Sequence, residues 1–220
     1  MKQKALVILS GGQDSTTCVW WAIERFGQES VESLTFDYRQ LHRHELHAAR
    51  QVAAHAGIPN VVLPINTFEA LGGSALTDPS IEVPRTTESD SLPVTFVPGR
   101  NLVFLTFAAA YAWRHDIQHL VTGVAQTDYS GYPDCRRDTI DSLEKTLALG
   151  LERHFTIHTP LMNLSKKETV LLAKELGAMD AMALTHTCYN GSVPPCGECA
   201  ACILRAKGFA EAGIPDPLIA

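Results

Sequence analysis

Two groups of residues in this chain of 220 have types and spacings that could do chemistry. The first is Ser10-Gly-Gly-Gln-Asp-Ser15. Gly11 and Gly12 let the backbone turn tightly and approach a ligand, and a helix starting just after them would aim its free amide groups at the same point, which should attract a phosphate. An ordinary strand-to-helix turn is the plain alternative. The Walker pattern fails because no Lys follows the glycines, and G-x-G-x-x-G is absent. The second group is Cys188, Cys196, Cys199 and Cys202, spaced C-x7-C-x2-C-x2-C with Pro194, Pro195 and Gly197 shaping the turns. Two-residue gaps between thiolates suit a tetrahedral Zn(II) site, closed when four cysteines fill it. An iron–sulfur cluster or a redox C-x-x-C pair would use the same residues. A closed site cannot activate water, so its role would be to fold the C-terminal segment onto the rest of the chain.

Other polar residues gain interest from position. Asp37-Tyr-Arg-Gln40 follows an apolar run and so would sit at a strand end, where ligands bind in α/β proteins. Arg100 stands where an irregular segment enters a buried helix, placing a guanidinium where a carboxylate or phosphate could meet it, with Asn101 as the expected helix cap. Asp128, Tyr129, Tyr132, Asp134 and Arg136 fall in one loop that could hold Mg(II), orient a polar substrate or simply be solvated. Lys166 opens a helix, where its charge opposes the dipole; a bound phosphate would compensate for that, and a flexible exposed side chain would not need to. His42, His44 and His47 fail the H-E-x-x-H pattern and read as a hydrated helix face. Cys18 reads as packed in its helix, and Cys135 has no evident base.

These residues require a frame. Ala5 to Leu9 is a continuous apolar run, the mark of a parallel strand buried on both faces, and Thr16 to Ile23 supplies a helix that Asp14 or Ser15 could cap. Val31–Asp37 reads as a second strand, Arg43–Gly57 as a second helix and Val61–Ile65 as a third strand. Periodicity then fails from Thr67 to Pro98, a segment long enough to be a lid. A helix over Leu102–Arg114, a strand over His119–Gly123, a helix over about Asp138–Leu149, a strand over Phe155–His158 and a helix over Ser165–Gly177 complete the pattern. Ser165 and Glu168 form a capping box. Alternation of strand and helix at this spacing predicts a doubly wound, five-stranded parallel sheet of Rossmann-like type. The expected division is a phosphate-binding α/β domain over residues 1–185 and a four-cysteine segment over 186–220.

Hydrophobic residues make up 45% of the chain and charged residues 19%, which are the proportions of a soluble globular protein. The longest nearly apolar stretch, Leu102 to Trp113, is too short for the roughly 20 residues that span a bilayer. A formal charge of −6 argues against broad contact with a nucleic-acid backbone. The N-terminus runs directly into the first strand, so no targeting segment is read there. The expectation is a cytoplasmic protein with neither membrane nor nucleic-acid partner. Its oligomeric state is open, a homodimer included.

The Ser10–Ser15 loop resembles the S-G-G-x-D-S loop of the PP-loop ATP pyrophosphatases. Over nearly its whole length the chain resembles the 7-cyano-7-deazaguanine synthase family of the queuosine precursor pathway. That likeness runs through Ser10–Cys18, Thr35-Phe-Asp-Tyr38, Thr95-Phe-Val-Pro-Gly-Arg-Asn101, Thr122-Gly-Val124, Tyr129–Arg136, Thr159-Pro-Leu-Met162 and Thr187-Cys-Tyr-Asn-Gly191, with Cys196, Cys199 and Cys202. The family usually reads D-Y-G-Q-R-H-R where this chain has Asp37-Tyr-Arg-Gln-Leu-His-Arg43, so Arg39 replaces a Gly and Leu41 an Arg.

The resemblance implies an ATP- and Mg(II)-dependent ligase that converts 7-carboxy-7-deazaguanine and ammonia to the nitrile through adenylated acid and amide. It implies nucleotide contacts from Leu9, Ser10, Gly11, Gly12, Gln13, Asp14, Ser15, Thr16, Asp37 and Tyr38. Catalytic roles would fall to Ser10, Asp14, Ser15, Lys166 and Arg100, and substrate contacts to Arg100, Asp128, Tyr132, Asp134 and Arg136. Structural zinc would sit on Cys188, Cys196, Cys199 and Cys202. A tRNA-thiolating pyrophosphatase of the same loop class, or a non-catalytic zinc-stabilised ATP-binding module, would share most of these features.

Overall fold

The computed structural model describes residues 3–40, 43–78, 80–83, 92–125 and 132–219. Five parallel strands, β1 (Ala5–Ile8), β2 (Val31–Asp37), β3 (Asn60–Pro64), β4 (His119–Val121) and β5 (Thr156–His158), lie in the order β3-β2-β1-β4-β5. Ala5 is in register with both Val31 and His119, which makes β1 the central strand. Its residues Ala5, Leu6 and Val7 are fully buried, as their unbroken apolar run requires. The chain winds outward from β1 to β3 and then returns to the other side of β1. The carboxyl ends of β1 and β4 therefore flank a topological switch point, where open α/β sheets bind ligands.

The pleat sorts side chains onto two faces. Leu6, Leu34 and Leu120 pack beneath α4 (Arg100–Arg114) and α5 (Arg137–Gly150), against Leu105, Ala108, Ile140 and Leu147. Ala5, Val7 and Val121 face the opposite way, onto α1 (Gln13–Phe26) and α2 (His44–Ala56), against Val19, Ala22, Ala49 and Val52. Each large aliphatic side chain so enclosed contributes about 1.5–3 kcal/mol.

The C-terminal helices form a further layer. Val170 and Ala173 of α6 (Lys166–Glu175) and Met182 of α7 (Met179–Met182) pack with Phe209 of α8 (Ala200–Ala212). Gly208 makes this crossing close, since a Cβ there would lie 2.9 Å from that of Lys166. Among the described residues no helix is long and apolar enough to cross a membrane.

Several element boundaries differ from expectation. Helix α1 starts at Gln13 behind Gly12, with no side-chain cap, so neither Asp14 nor Ser15 caps it. The Ser15 hydroxyl is engaged by the preceding loop instead. Helix α4 starts at Arg100 behind Gly99, which puts Asn101 inside the helix. The Asn101 backbone amide donates to Asp134 Oδ2 at 3.0 Å, a cap supplied from 33 residues downstream. The stretch expected to be irregular after β3 contains α3 (Thr67–Leu71), whose Phe68 is buried, and the amide of Ala75 donates to the Val94 carbonyl oxygen. At Ser165 the capping box forms as expected.

Candidate active site

The loop Leu9–Gly12 joins the central strand to α1 and is held open by its own side chains. Ser15 Oγ accepts from the Ser10 amide at 3.2 Å, lies 3.0 Å from Ser10 Oγ and donates to the Gly12 carbonyl at 3.1 Å. The Gly12 amide donates to Ser10 Oγ. Gly11 has φ +88, and a Cβ there would come within 2.4 Å of the Glu45 carbonyl oxygen and 2.6 Å of the Ala49 nitrogen. Only a glycine lets α2 lie this close to the loop. The Gly11 carbonyl accepts from the His186 amide at 2.9 Å, so the loop is pinned from the C-terminal side as well. The first-turn amides of α1 have no intrahelical partner and point toward the loop, as an anion site requires.

Two polar atoms of this loop fit an absent charged ligand. Asp14 Oδ1 and Gln13 Nε2 are buried and make no hydrogen bond among the described atoms. The other carboxylate oxygen of Asp14 is 2.6 Å from Lys166 Nζ. The helix-opening lysine is thus neither freely exposed nor isolated; it crosses to the first turn of α1 and stands beside the loop with its own counter-charge.

Loop and lysine line a cavity of about 280 Å³ whose wall also includes Tyr38, Glu45, Arg100, Asn101, Tyr132, Cys135, His186, Tyr189 and Arg205. Leu9, Ser10, Gly12, Gln13, Asp14 and Ser15 all face it, whereas Gly11 and Thr16 support the loop from behind. Asp37 is not on the wall. It anchors the turn after β2, accepting from the Arg39 amide and from Arg43. Arg39 itself adopts φ +62, a left-handed conformation that glycine takes without strain and arginine adopts at a cost of about 1–2 kcal/mol. Its Nε donates to Asn66 Oδ1 at 3.2 Å. Leu41 lies outside the described residues.

Also on the cavity wall, the Arg100 guanidinium lies 5.7 Å from the Tyr38 ring centroid and donates to its hydroxyl at 3.5 Å. Burial pushes the Tyr38 phenol up to about 12, so it stays protonated. The Tyr132 hydroxyl pairs with Thr95 at 2.7 Å. Of the other residues expected to touch substrate, Asp134 is buried behind the wall as the cap of α4, Arg136 is exposed at the start of α5, and Asp128 with Tyr129 lies outside the described residues. Cys135 accepts from Asn101 Nδ2 at 3.2 Å. Burial raises the Cys18 thiol well above its ordinary value, as expected of a packed residue. His44 and His47 are exposed; His42 lies outside the described residues.

Two features of the site were invisible in sequence. Glu45 looked like the first turn of a surface helix but lines the cavity. Arg205 is 4% exposed, and its guanidinium donates to both oxygens of Asp216, at 2.6 and 2.7 Å, and to the hydroxyls of Thr185 and Thr187. Those threonines flank His186, whose amide holds Gly11. A charged residue in an apolar helical stretch was the one available signal.

The sulfur atoms of Cys188, Cys196, Cys199 and Cys202 all lie within 4.8 Å of one another. Four thiolates at about 2.3 Å from a tetrahedral metal sit roughly 3.8 Å apart, so the cluster can hold a metal ion with little adjustment. The amides of Cys196 and Cys199 donate to the sulfurs of Cys188 and Cys196, at 3.5 and 3.4 Å, which stabilises negative sulfur. Cys199 is also the N-cap of α8.

Comparison with known proteins shows the family. The chain is 64% identical over 218 residues to a 7-cyano-7-deazaguanine synthase of Chromobacterium violaceum, covering 99% of this chain and 93% of that one. It is 62% identical over 218 residues to the enzyme of the same name from Laribacter hongkongensis, covering 99% and 94%. With that of Bacillus subtilis it shares 49% over 212 residues, covering 96% and 95%. Among solved structures, one described as a predicted subunit of tRNA methyltransferase from Methanocaldococcus jannaschii superposes with a TM-score of 0.50 at 19% identity, covering 79% of this chain and 75% of that one, which is a likeness of fold alone. The family profile described as queuosine biosynthesis protein QueC matches residues 4–213, and the chain belongs to that family.

Proposed function

We propose that this protein is an ATP-dependent carbon–nitrogen ligase that turns 7-carboxy-7-deazaguanine and ammonia into 7-cyano-7-deazaguanine, releasing AMP and pyrophosphate. The observation that carries the reading is the Ser10–Ser15 loop, pinned by Ser15 and by His186, opening onto a cavity that Arg100 also lines. A carboxylate resists attack because its leaving group would be oxide. Transfer of AMP from ATP to it, with release of pyrophosphate, provides a better leaving group for ammonia to displace, and a second transfer, to the amide oxygen, lets that oxygen leave as AMP with loss of a proton, giving the nitrile. Both rounds cleave ATP at the same bond, so one loop serves both.

In this reading Ser10, Gly12, Gln13 and Ser15 bind the departing pyrophosphate through hydroxyl and amide donors, with Leu9, Gly11 and Thr16 setting the loop. Lys166 adds a fixed positive charge to the phosphate side, oriented by Asp14. Mg(II), when bound, would neutralise phosphate charge, and Asp14 Oδ1, which makes no hydrogen bond among the described residues, would be a ligand for it. Arg100 meets the substrate carboxylate, and Tyr132 borders it. The cysteine cluster holds Zn(II) as a structural ion, and residues 186–220 act as a zinc-stabilised segment on the nucleotide-binding domain of residues 1–185. The enzyme works in the cytoplasm on free small molecules, with no nucleic acid or membrane required.

A mass-resolved assay with ATP, Mg(II), ammonium and the carboxylate tests the reading. Nitrile forming with two AMP per turnover is the expected result. ADP as product, or unchanged acid from protein that still binds ATP, would overturn it.

A further inference from the structure

The cavity holds two opposite charges that do not pair with each other. Glu45, in the first turn of α2, and Arg100, in the first turn of α4, both line its wall, and each feels the other's charge. Among the described residues the Glu45 carboxylate makes no hydrogen bond and no ion pair, and Arg100 has no carboxylate partner, only its ring contact with Tyr38 and the long contact to the Tyr38 hydroxyl. Carboxylates and guanidiniums removed from water without partners are costly, so a wall that presents one of each is built for a ligand that satisfies both. Burial raises the Glu45 carboxyl to about 7, with the Arg100 charge pulling it back down. Donors supplied by a ligand would favour its ionised form further.

We propose that Glu45 reads the pyrimidinone edge of the deazaguanine substrate, its two oxygens accepting from the ring N1–H and the 2-amino group while Arg100 takes the 7-carboxylate. The inference rests on the reaction proposed above. The ring presents two adjacent donors on one edge and an anion on the opposite side, and the cavity offers a two-oxygen acceptor and a two-nitrogen donor in complement. Phe36, Phe104 and Tyr38 pack on one another, with ring centroids 4.4 and 5.4 Å apart, and present one aromatic wall against which a flat bicycle can lie. The two contacts then differ in time. When the acid becomes the amide, the anion is gone and Arg100 loses its charge partner, but the N1–H and 2-amino donors are unchanged. Glu45 is the contact that persists through both adenylations and keeps the neutral amide in the site.

The experiment compares the purified, metal-loaded wild-type enzyme with Glu45→Gln and Arg100→Ala, using the acid, the amide and a 7-carboxy analogue lacking the 2-amino group. Wild type should prefer the 2-amino substrate over the analogue by at least about tenfold in kcat/KM, because a site built to accept a donor rejects a ligand without it. Glu45→Gln sets an amide donor against ring donors; KM for acid and amide should rise together, at least about tenfold, and the preference for the 2-amino group should vanish. Arg100→Ala should raise KM for the acid well beyond that for the amide. The proposal is overturned if wild type does not discriminate the analogue, a result that needs no variant to fold. It is overturned equally if Glu45→Gln leaves both KM values and the discrimination intact, including the case where kcat alone falls and Glu45 therefore moves a proton. Failure of wild type to make nitrile from the acid would instead remove the underlying reaction.

Discussion

Lys166 Nζ and Asp14 Oδ2 meet at 2.6 Å across 152 residues of sequence, joining the first turn of α6 to the first turn of α1. Both side chains are largely buried, at 12% and 28% exposure. Lys166→Met leaves Asp14 without this cation beside the loop. It should cost about 1–3 kcal/mol in urea unfolding and lower kcat by at least about a hundredfold. Asp14→Asn keeps the shape and should retain more stability than activity. Equal loss of both in the two variants would make the pair purely structural.

Arg205 and Asp216 should behave as a unit. Removing either strands a buried charge, so Arg205→Met and Asp216→Asn should each cost about 3–5 kcal/mol. The double variant Arg205→Met/Asp216→Asn should cost clearly less than the sum, read from denaturant midpoints of all four proteins. Because Thr185 and Thr187 hang on the same guanidinium, Arg205→Met should also raise KM for ATP.

Metal analysis of protein purified without chelator should find one zinc per chain, and Cys199→Ser should lose it. That substitution removes a ligand and the N-cap of α8 together. A fall in thermal midpoint that excess zinc restores in wild type but not in Cys199→Ser is the expected result. Iron with visible absorption would replace zinc by a cluster.

His119 Nδ1 lies 3.0 Å from His158 Nε2, an arrangement that requires one ring to accept and therefore to be neutral. Burial first, then the charges of His119 and Arg25, lower His158 to about 4. His119 is lowered by burial, then by Arg25 and His154. The unfolded chain, with histidines near 6.5, therefore binds more protons than the native state between about pH 6.5 and 4. Stability should be fully present above that window and fall as pH drops through it. His158→Gln should flatten the difference between urea midpoints at pH 7 and pH 5; an unchanged slope would show that the pair does not set it.

What was legible in sequence follows from range. The apolar run Ala5–Leu9, the glycine pair after it and the two-residue cysteine gaps are local signals, and the central strand, the loop and the cysteine cluster all stand where those signals put them. The parallel sheet with helices on both faces follows from alternating elements and the handedness of crossovers, whereas the strand order β3-β2-β1-β4-β5 does not. Contacts made between distant segments leave no such trace. Lys166 with Asp14, Arg205 with Asp216 and the amide of Asn101 with Asp134 join residues that nothing in their neighbourhoods pairs. Both misplaced caps have one cause, because Ser15 and Asn101 are good capping residues already engaged elsewhere, by the loop and by Cys135. Glu45 was hidden by an acidic first turn, which is what any exposed helix prefers.

The loop at Gly11 is touched from three sides, by the strand that precedes it, by α2 through the Glu45 carbonyl and by the chain at His186. The strand and α2 pack in one large apolar unit, while the chain at His186 leads into the much smaller unit of the cysteine cluster. Units of unequal size open at unequal free energies. On gradual warming, turnover should therefore disappear while circular dichroism still reports an intact sheet, and the catalyst should fail by coming loose at a corner before it melts.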